Sequence, residues 1–169
     1  TPIMLMGYVN PILAFGEARF VHAAAGAGVD GFIVPDLPPE EAEDFDGLAR
    51  EAGLSLIHFL APTSSPERID RVTAQATGFI YLVSVTGGTG ARSQVQADLA
   101  GFVDRVRGKT AVPLAVGFGI STPAQAAQVG KLADGVIVGS ALINAVNAAE
   151  EKPAAAAELI ESLHAAVQQ

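Results

Sequence analysis

The sequence predicts an α/β fold with parallel strands, on two observations. Short runs of Val, Ile and Leu recur at intervals of about 25 residues, and each leads through a polar turn into an Ala- and Glu-rich stretch with helical spacing. The apolar runs lack polar alternation, which means burial on both faces, as in a parallel sheet covered by helices. The predicted strands are, in order, Ile3 to Tyr8, Gly31 to Val34, Ser55 to Phe59, Phe79 to Val83, Pro113 to Val116 and Gly135 to Val138. Helix starts are marked by Pro38-Pro39-Glu40-Glu41, Ser65-Pro66-Glu67 and Ser121-Thr122-Pro123, each a cap or proline before an Ala-rich run. Gly28, Gly53, Gly108 and Gly130 fall where helices should end.

The loops choose between an open doubly wound sheet and a closed barrel. An open dinucleotide-binding sheet favours G-x-G-x-x-G after its first strand, and none stands there. A phosphate-binding (β/α)8 TIM barrel places glycine-rich loops after its last two strands and a short extra helix after the final one. Val116-Gly117-Phe118-Gly119-Ile120-Ser121 and Val138-Gly139-Ser140-Ala141 have that arrangement, so the chain reads as about six of eight βα units of such a barrel. With 169 residues and 50% hydrophobic content, residues 1–169 are expected to form a single, partial domain. Thr1-Pro2-Ile3-Met4 has no initiator Met and runs straight into a strand, so the chain is expected to begin inside a larger fold.

Composition narrows the function classes. A formal net charge of −8 without a Lys/Arg cluster argues against a nucleic-acid partner. The absence of cysteine removes disulfides and thiolate metal sites, and no stretch resembles a signal peptide; a reducing cytoplasm fits. The apolar runs, such as Gly135 to Ile143, are far shorter than the roughly 20 residues of a spanning helix.

Several residues point to chemistry. Glycines at 119 and 139 let backbone N–H groups approach an anion, and a helix opening at Ser140 would aim its positive end at the same point. Either loop alone is equally a simple turn. The segment from Ser84 to Ala91, with Thr89 and Gly90, reads as a lid over substrate, before a helix beginning near Asp98, or as a plain surface loop. Tyr8 and Tyr81, the two phenols, stand at or near strand ends, where each either faces a substrate or packs with its hydroxyl satisfied locally. Asp36, between two prolines at a strand end, is the best-placed carboxylate but is better read as a turn former or cap. Glu40, Glu41, Glu43 and Asp44 read as the first turns of a helix. His22, His58 and His164 lack metal-ligand spacing, so no metal is assigned, and His58 is expected to be a core or surface histidine with a local hydrogen bond.

Taken together, Met6-Gly7-Tyr8-Val9-Asn10-Pro11, Val34-Pro35-Asp36-Leu37-Pro38-Pro39-Glu40-Glu41, Tyr81 through Gly90 and Gly117 through Pro123 resemble the tryptophan synthase alpha subunit in order and spacing, across the whole chain. The resemblance implies retro-aldol cleavage of indole-3-glycerol phosphate to indole and glyceraldehyde 3-phosphate, within an alpha2beta2 complex whose beta subunit carries pyridoxal phosphate. It implies no cofactor in this chain. By the same resemblance Gly119, Gly139 and Ser140 hold the phosphate with help from Gly90, and Phe118 belongs to the same substrate-binding set. Tyr8 lies beside the indole, Tyr81 and Thr89 support the catalytic carboxylates, and Asn10 and Pro38 fall in loops facing the beta subunit.

The family's catalytic Glu and Asp belong to its second strand and the following loop, whereas this sequence begins at what matches the third strand. No catalytic residue is therefore assigned here, Asp36 is not promoted in their place, and the chain alone is expected to be inactive. Six strands of an eight-stranded barrel would leave open edges prone to pairing or aggregation. Two alternatives stand beside this reading: another phosphate-binding barrel enzyme, which a strand-end Lys or metal-binding His would favour, or a non-catalytic truncated barrel that only binds the beta subunit.

Overall fold

The computed structural model describes the backbone of residues 1–84, 92–117 and 119–168, and the side chains of all these but 92–97. The chain divides into two compact units, Thr1–Leu60 with Ser64–Ile80, and Ala61–Thr63 with Tyr81–Gln169.

In the first unit β1 (Met4–Met6), β2 (Gly31–Ile33) and β3 (Ser55–Leu60) lie side by side in sequence order, all parallel. Their connections are helical, because parallel neighbours need a crossover. They are α1 (Val9–Phe15) and α2 (Glu17–Gly26), then α3 (Glu43–Glu51), with α4 (Pro66–Gln75) following β3. Phe32, Leu56 and Ile57 are buried on opposite faces of their strands, as the unalternating pattern requires. Phe15, Phe20, Phe32 and Phe45 form a chain of rings with centroids 6.0, 5.3 and 5.2 Å apart, joining α1, α2 and α3 to β2.

The second unit repeats the scheme with β4 (Ile80–Val83), β5 (Leu114–Gly117) and β6 (Gly135–Ile137), again in sequence order. Its helices are α5 (Arg92–Arg107), α6 (Pro123–Gly130), α7 (Ser140–Ala148) and α8 (Lys152–Val167). A Cβ at Gly130 would stand 3.2 Å from the Val167 side chain, so the end of α6 and the end of α8 approach closely there.

One local device occurs in both units. Asp30 donates its N–H to the Ile3 carbonyl (2.8 Å), and its carboxylate takes the Ile3 N–H (2.7 Å). Asp134 does the same to Leu114, at 2.9 and 2.8 Å. In each case an Asp-Gly pair opens a strand by clamping both backbone groups of the residue opposite, and the following glycine (Gly31, Gly135) pairs with the next residue of the neighbour strand.

The strands match the expected ones to within two residues at each end. Four expectations need correction. β1 stops at Met6, so Tyr8 is the N-cap of α1 and Asn10 lies inside that helix, not in a loop; Gly16, at φ +92°, separates α1 from α2. Glu40 and Glu41 precede α3 and are not its first turn, which instead holds Glu43, Asp44 and Asp46. Glu40 is engaged instead by Arg68, at 2.8 Å. Helix α5 starts at Arg92, ahead of the expected Asp98. His58 is buried, yet its Nε2 has no hydrogen-bond partner among the described residues, contrary to the local bond expected of it.

Candidate functional site

The glycine-rich loops of the second unit leave adjacent strands at one level, because Gly117 at the end of β5 pairs with Ile137 at the end of β6. After β5 the chain passes through Gly119 at φ +78°, a left-handed conformation that favours glycine. It is then anchored by buried Ile120 and by a capping box. Gln125 Oε1 accepts the N–H groups of Ser121 (2.9 Å) and Thr122 (3.2 Å), while Thr122 Oγ1 accepts the Gln125 N–H at 3.3 Å. This local chemistry holds the loop's C-terminal half in place.

After β6, Gly139 is the N-cap of α7 and Ser140 its first residue, as the sequence predicted. The cap makes no side-chain hydrogen bond, and both residues are exposed. A Cβ at Gly139 would meet nothing within 4 Å. The first N–H groups of a helix lack intrahelical acceptors and carry the positive end of its dipole. Here that end follows directly on β6, the strand paired with β5, and both of its first residues are exposed. The arrangement can receive an anion through backbone donors, with no side-chain charge required.

Tyr81, on β4, reaches the same strand ends. A Cβ at Gly117 would stand 2.6 Å from Tyr81 Cζ and closer still to the phenol oxygen, so the ring lies directly over the Gly117 backbone. Burial raises the ionisation of this phenol above its ordinary 10.0. Buried Ser84, just past β4, ties the same place down: its N–H and hydroxyl both donate to the Gly117 carbonyl, at 3.0 and 2.9 Å. The first glycine of Gly117-Phe118-Gly119 is thus a contact surface for Tyr81, a role the sequence did not reveal although the phenol and the motif were both noted.

The first unit holds a separate feature, an apolar cavity of about 510 Å³ lined by Leu5, Met6, Tyr8, Phe15, Phe20 and Phe32 among others. Tyr8 stands at its rim, 65% exposed. Helix α1 and its phenylalanine were missed in the sequence reading; the run Pro11-Ile12-Leu13-Ala14-Phe15 before Gly16 is the signal that would have found them. Asp36 acts as a cap, as expected, but on α1 and not on the helix that follows it: its Oδ1 accepts the Val9 N–H at 2.9 Å. Pro38 is half-buried in the turn beyond it. Thr89, Gly90 and Phe118 lie outside the described residues.

Comparison with known proteins gives consistent findings. A family model described as tryptophan synthase alpha chain matches residues 1–169. The tryptophan synthase alpha chain of Dehalococcoides mccartyi is 57% identical over 145 residues, covering 86% of this chain and 57% of that relative. That of Chloroflexus aurantiacus is 51% identical over 168 residues, covering 98% of this chain and 63% of the relative. The solved tryptophan synthase subunit alpha from Legionella pneumophila superposes with a TM-score of 0.88 at 39% identity, over 99% of this chain and 63% of that one. The subunit from Campylobacter jejuni gives 0.89 at 32% identity, over 96% and 65%. The chain thus spans a little over half to under two thirds of these relatives' lengths. Its parallel βα series is that of their TIM-barrel fold.

Proposed function

Because the chain belongs to the tryptophan synthase alpha chain family, we propose that it supplies the phosphate- and indole-binding part of an enzyme that cleaves indole-3-glycerol phosphate. The reaction is a retro-aldol step giving indole and glyceraldehyde 3-phosphate, in tryptophan biosynthesis. The observation that carries this reading is the pair of glycine loops on adjacent strands, with Gly119 at φ +78° and the uncapped N-terminus of α7 at Gly139 and Ser140. The phosphate sits on those backbone donors, with Gly90 and Phe118 completing the substrate site. Tyr8, at the rim of an apolar cavity, lies beside the indole.

Bond cleavage needs one group to remove a proton and another to protonate indole C3. We assign these to a Glu and an Asp N-terminal to Thr1 in the family's order, supported by Tyr81 and Thr89. On this reading the chain alone binds but does not turn over. Asn10, on α1, and Pro38 face a beta subunit that holds pyridoxal phosphate, in an alpha2beta2 complex. The cytoplasm is the fitting compartment; among the described residues no helix is long and apolar enough to cross a membrane.

Titration with inorganic phosphate, followed by amide NMR, tests the site. The Gly119, Gly139 and Ser140 amides are expected to shift together, and Gly139→Asp to abolish the effect. Gly139 has room for that side chain, since a Cβ there would meet nothing within 4 Å, and the added carboxylate repels the anion. Shifts confined to other residues would refute the phosphate reading. An indole-release assay tests the rest: no release is expected from this chain, and release is expected from a polypeptide that includes the coding sequence upstream of Thr1.

A further inference from the structure

The link between Asp36 and Val9 has a use beyond capping a short helix. Gly7 and Val9 are both tied to the segment that leaves β2: the Gly7 N–H donates to the Ile33 carbonyl at 3.1 Å, and the Val9 N–H to Asp36 Oδ1 at 2.9 Å. Between those two ties stands Tyr8, extended at φ −104°, ψ 156°, with no side-chain bond of its own to the helix it caps. The anchoring side is rigid. Val34 is buried, Leu37 donates its N–H to the Val34 carbonyl at 3.2 Å, and Pro35 and Pro38 restrict the backbone on either side of Asp36. Gly7, Tyr8 and Val34 all line the apolar cavity, so the carboxylate spans its rim.

We propose that Asp36 is a positioning residue for this cavity: by holding the β1–α1 connection, it sets where Tyr8 meets a flat aromatic ligand and where Asn10 is displayed. Nothing in this role asks Asp36 to touch substrate. The idea deepens the indole-site reading above and rests on it. The tie needs an acceptor oxygen at this place, because the bond goes to a single backbone N–H.

The experiment compares Asp36→Ala and Asp36→Asn in the 169-residue chain, with indole as the probe. Asp36→Ala is expected to weaken indole binding about tenfold and to remove the hydrogen-bond shift of the Val9 amide, whereas Asp36→Asn, which keeps an acceptor, stays within about twofold of the parent. Residual dipolar couplings of residues 7–10 should change in the Ala variant and be restored in Asn. If Asp36→Ala lowers only thermal stability while indole affinity and the couplings persist, the residue is merely structural and the proposal is overturned. If the parent chain fails to bind indole, the indole reading falls by itself. The couplings then still decide whether Asp36 sets the segment's direction.

Discussion

His58 is the residue with the plainest physical tension. It is 3% exposed on β3, and its Nε2 has no partner among the described residues. Nearby Asp46, on α3, is also buried and has one oxygen unpaired, while its other oxygen binds Arg50 Nε at 2.9 Å; Arg50 in turn donates to the Gln75 carbonyl at the end of α4. Burial holds the His58 ionisation below its ordinary 6.5, opposed by Asp46 and reinforced by Arg50. A folded-state value below the unfolded one means the unfolded chain binds more protons in the interval between them, so stability rises with pH there. His58 thus makes no pH-dependent contribution above about pH 6.5 and erodes stability as pH falls from there towards its folded value. Urea unfolding from pH 7.5 down to 5 should show that slope, and His58→Phe should flatten it; an unchanged slope would assign the acid sensitivity to other groups. Gly117 offers a second test. Alanine there meets the Tyr81 ring, and the overpacking should cost about 1–3 kcal/mol in urea unfolding. The shifted phenol should also ionise closer to its ordinary 10.0, read by absorbance in a Tyr8→Phe background.

Among elements, the β1–β2 and β5–β6 pairs are each closed at their start by an Asp-Gly clamp. Asp134 is partly desolvated, which raises its ionisation, but the Leu114 N–H and the Arg107 guanidinium outweigh that and leave it lowered overall. Its support is therefore present above about the ordinary carboxylate value and lost as pH falls through the depressed one. Asp134→Ala should loosen the β5–β6 start, seen as faster hydrogen exchange at Leu114 and a loss of about 1 kcal/mol. Asp134→Asn should recover part of it. Neither clamp is visible as a clamp in the sequence, because which residue stands opposite each Asp-Gly pair depends on register. The capping box at Thr122 and Gln125 is the contrary case, since a Thr before a proline and a Gln three residues on is a local signal.

For the whole molecule, apolar exposure near the first strand has the largest consequence. Ile3, Met6, Tyr8, Leu13 and Phe15 are 58, 67, 65, 53 and 46% exposed. Surfaces of this kind associate with something. The 169-residue chain is expected to self-associate with rising concentration in sedimentation experiments, and Ile3→Lys with Leu13→Lys to suppress it. A monodisperse monomer at high concentration would mean that this surface is covered in solution in another way. With a net charge of −8, long-range repulsion works against such association, so added salt should strengthen it.

The sequence by itself determined the strands, the starts of α4, α6 and α7, the ends of α2, α3, α5 and α6, the order of βα units and the two glycine loops, because these follow from hydrophobic period and from turn chemistry acting within a few residues. The family followed from the same local motifs, read in order. Only the tertiary structure decided that Tyr81 lies on Gly117, that Asp36 serves α1 and that His58 Nε2 is buried with no hydrogen-bond partner among the described residues. Each depends on which residues the strand register and helix packing bring together from about 20 to 40 positions apart, and no short-range pattern encodes that meeting.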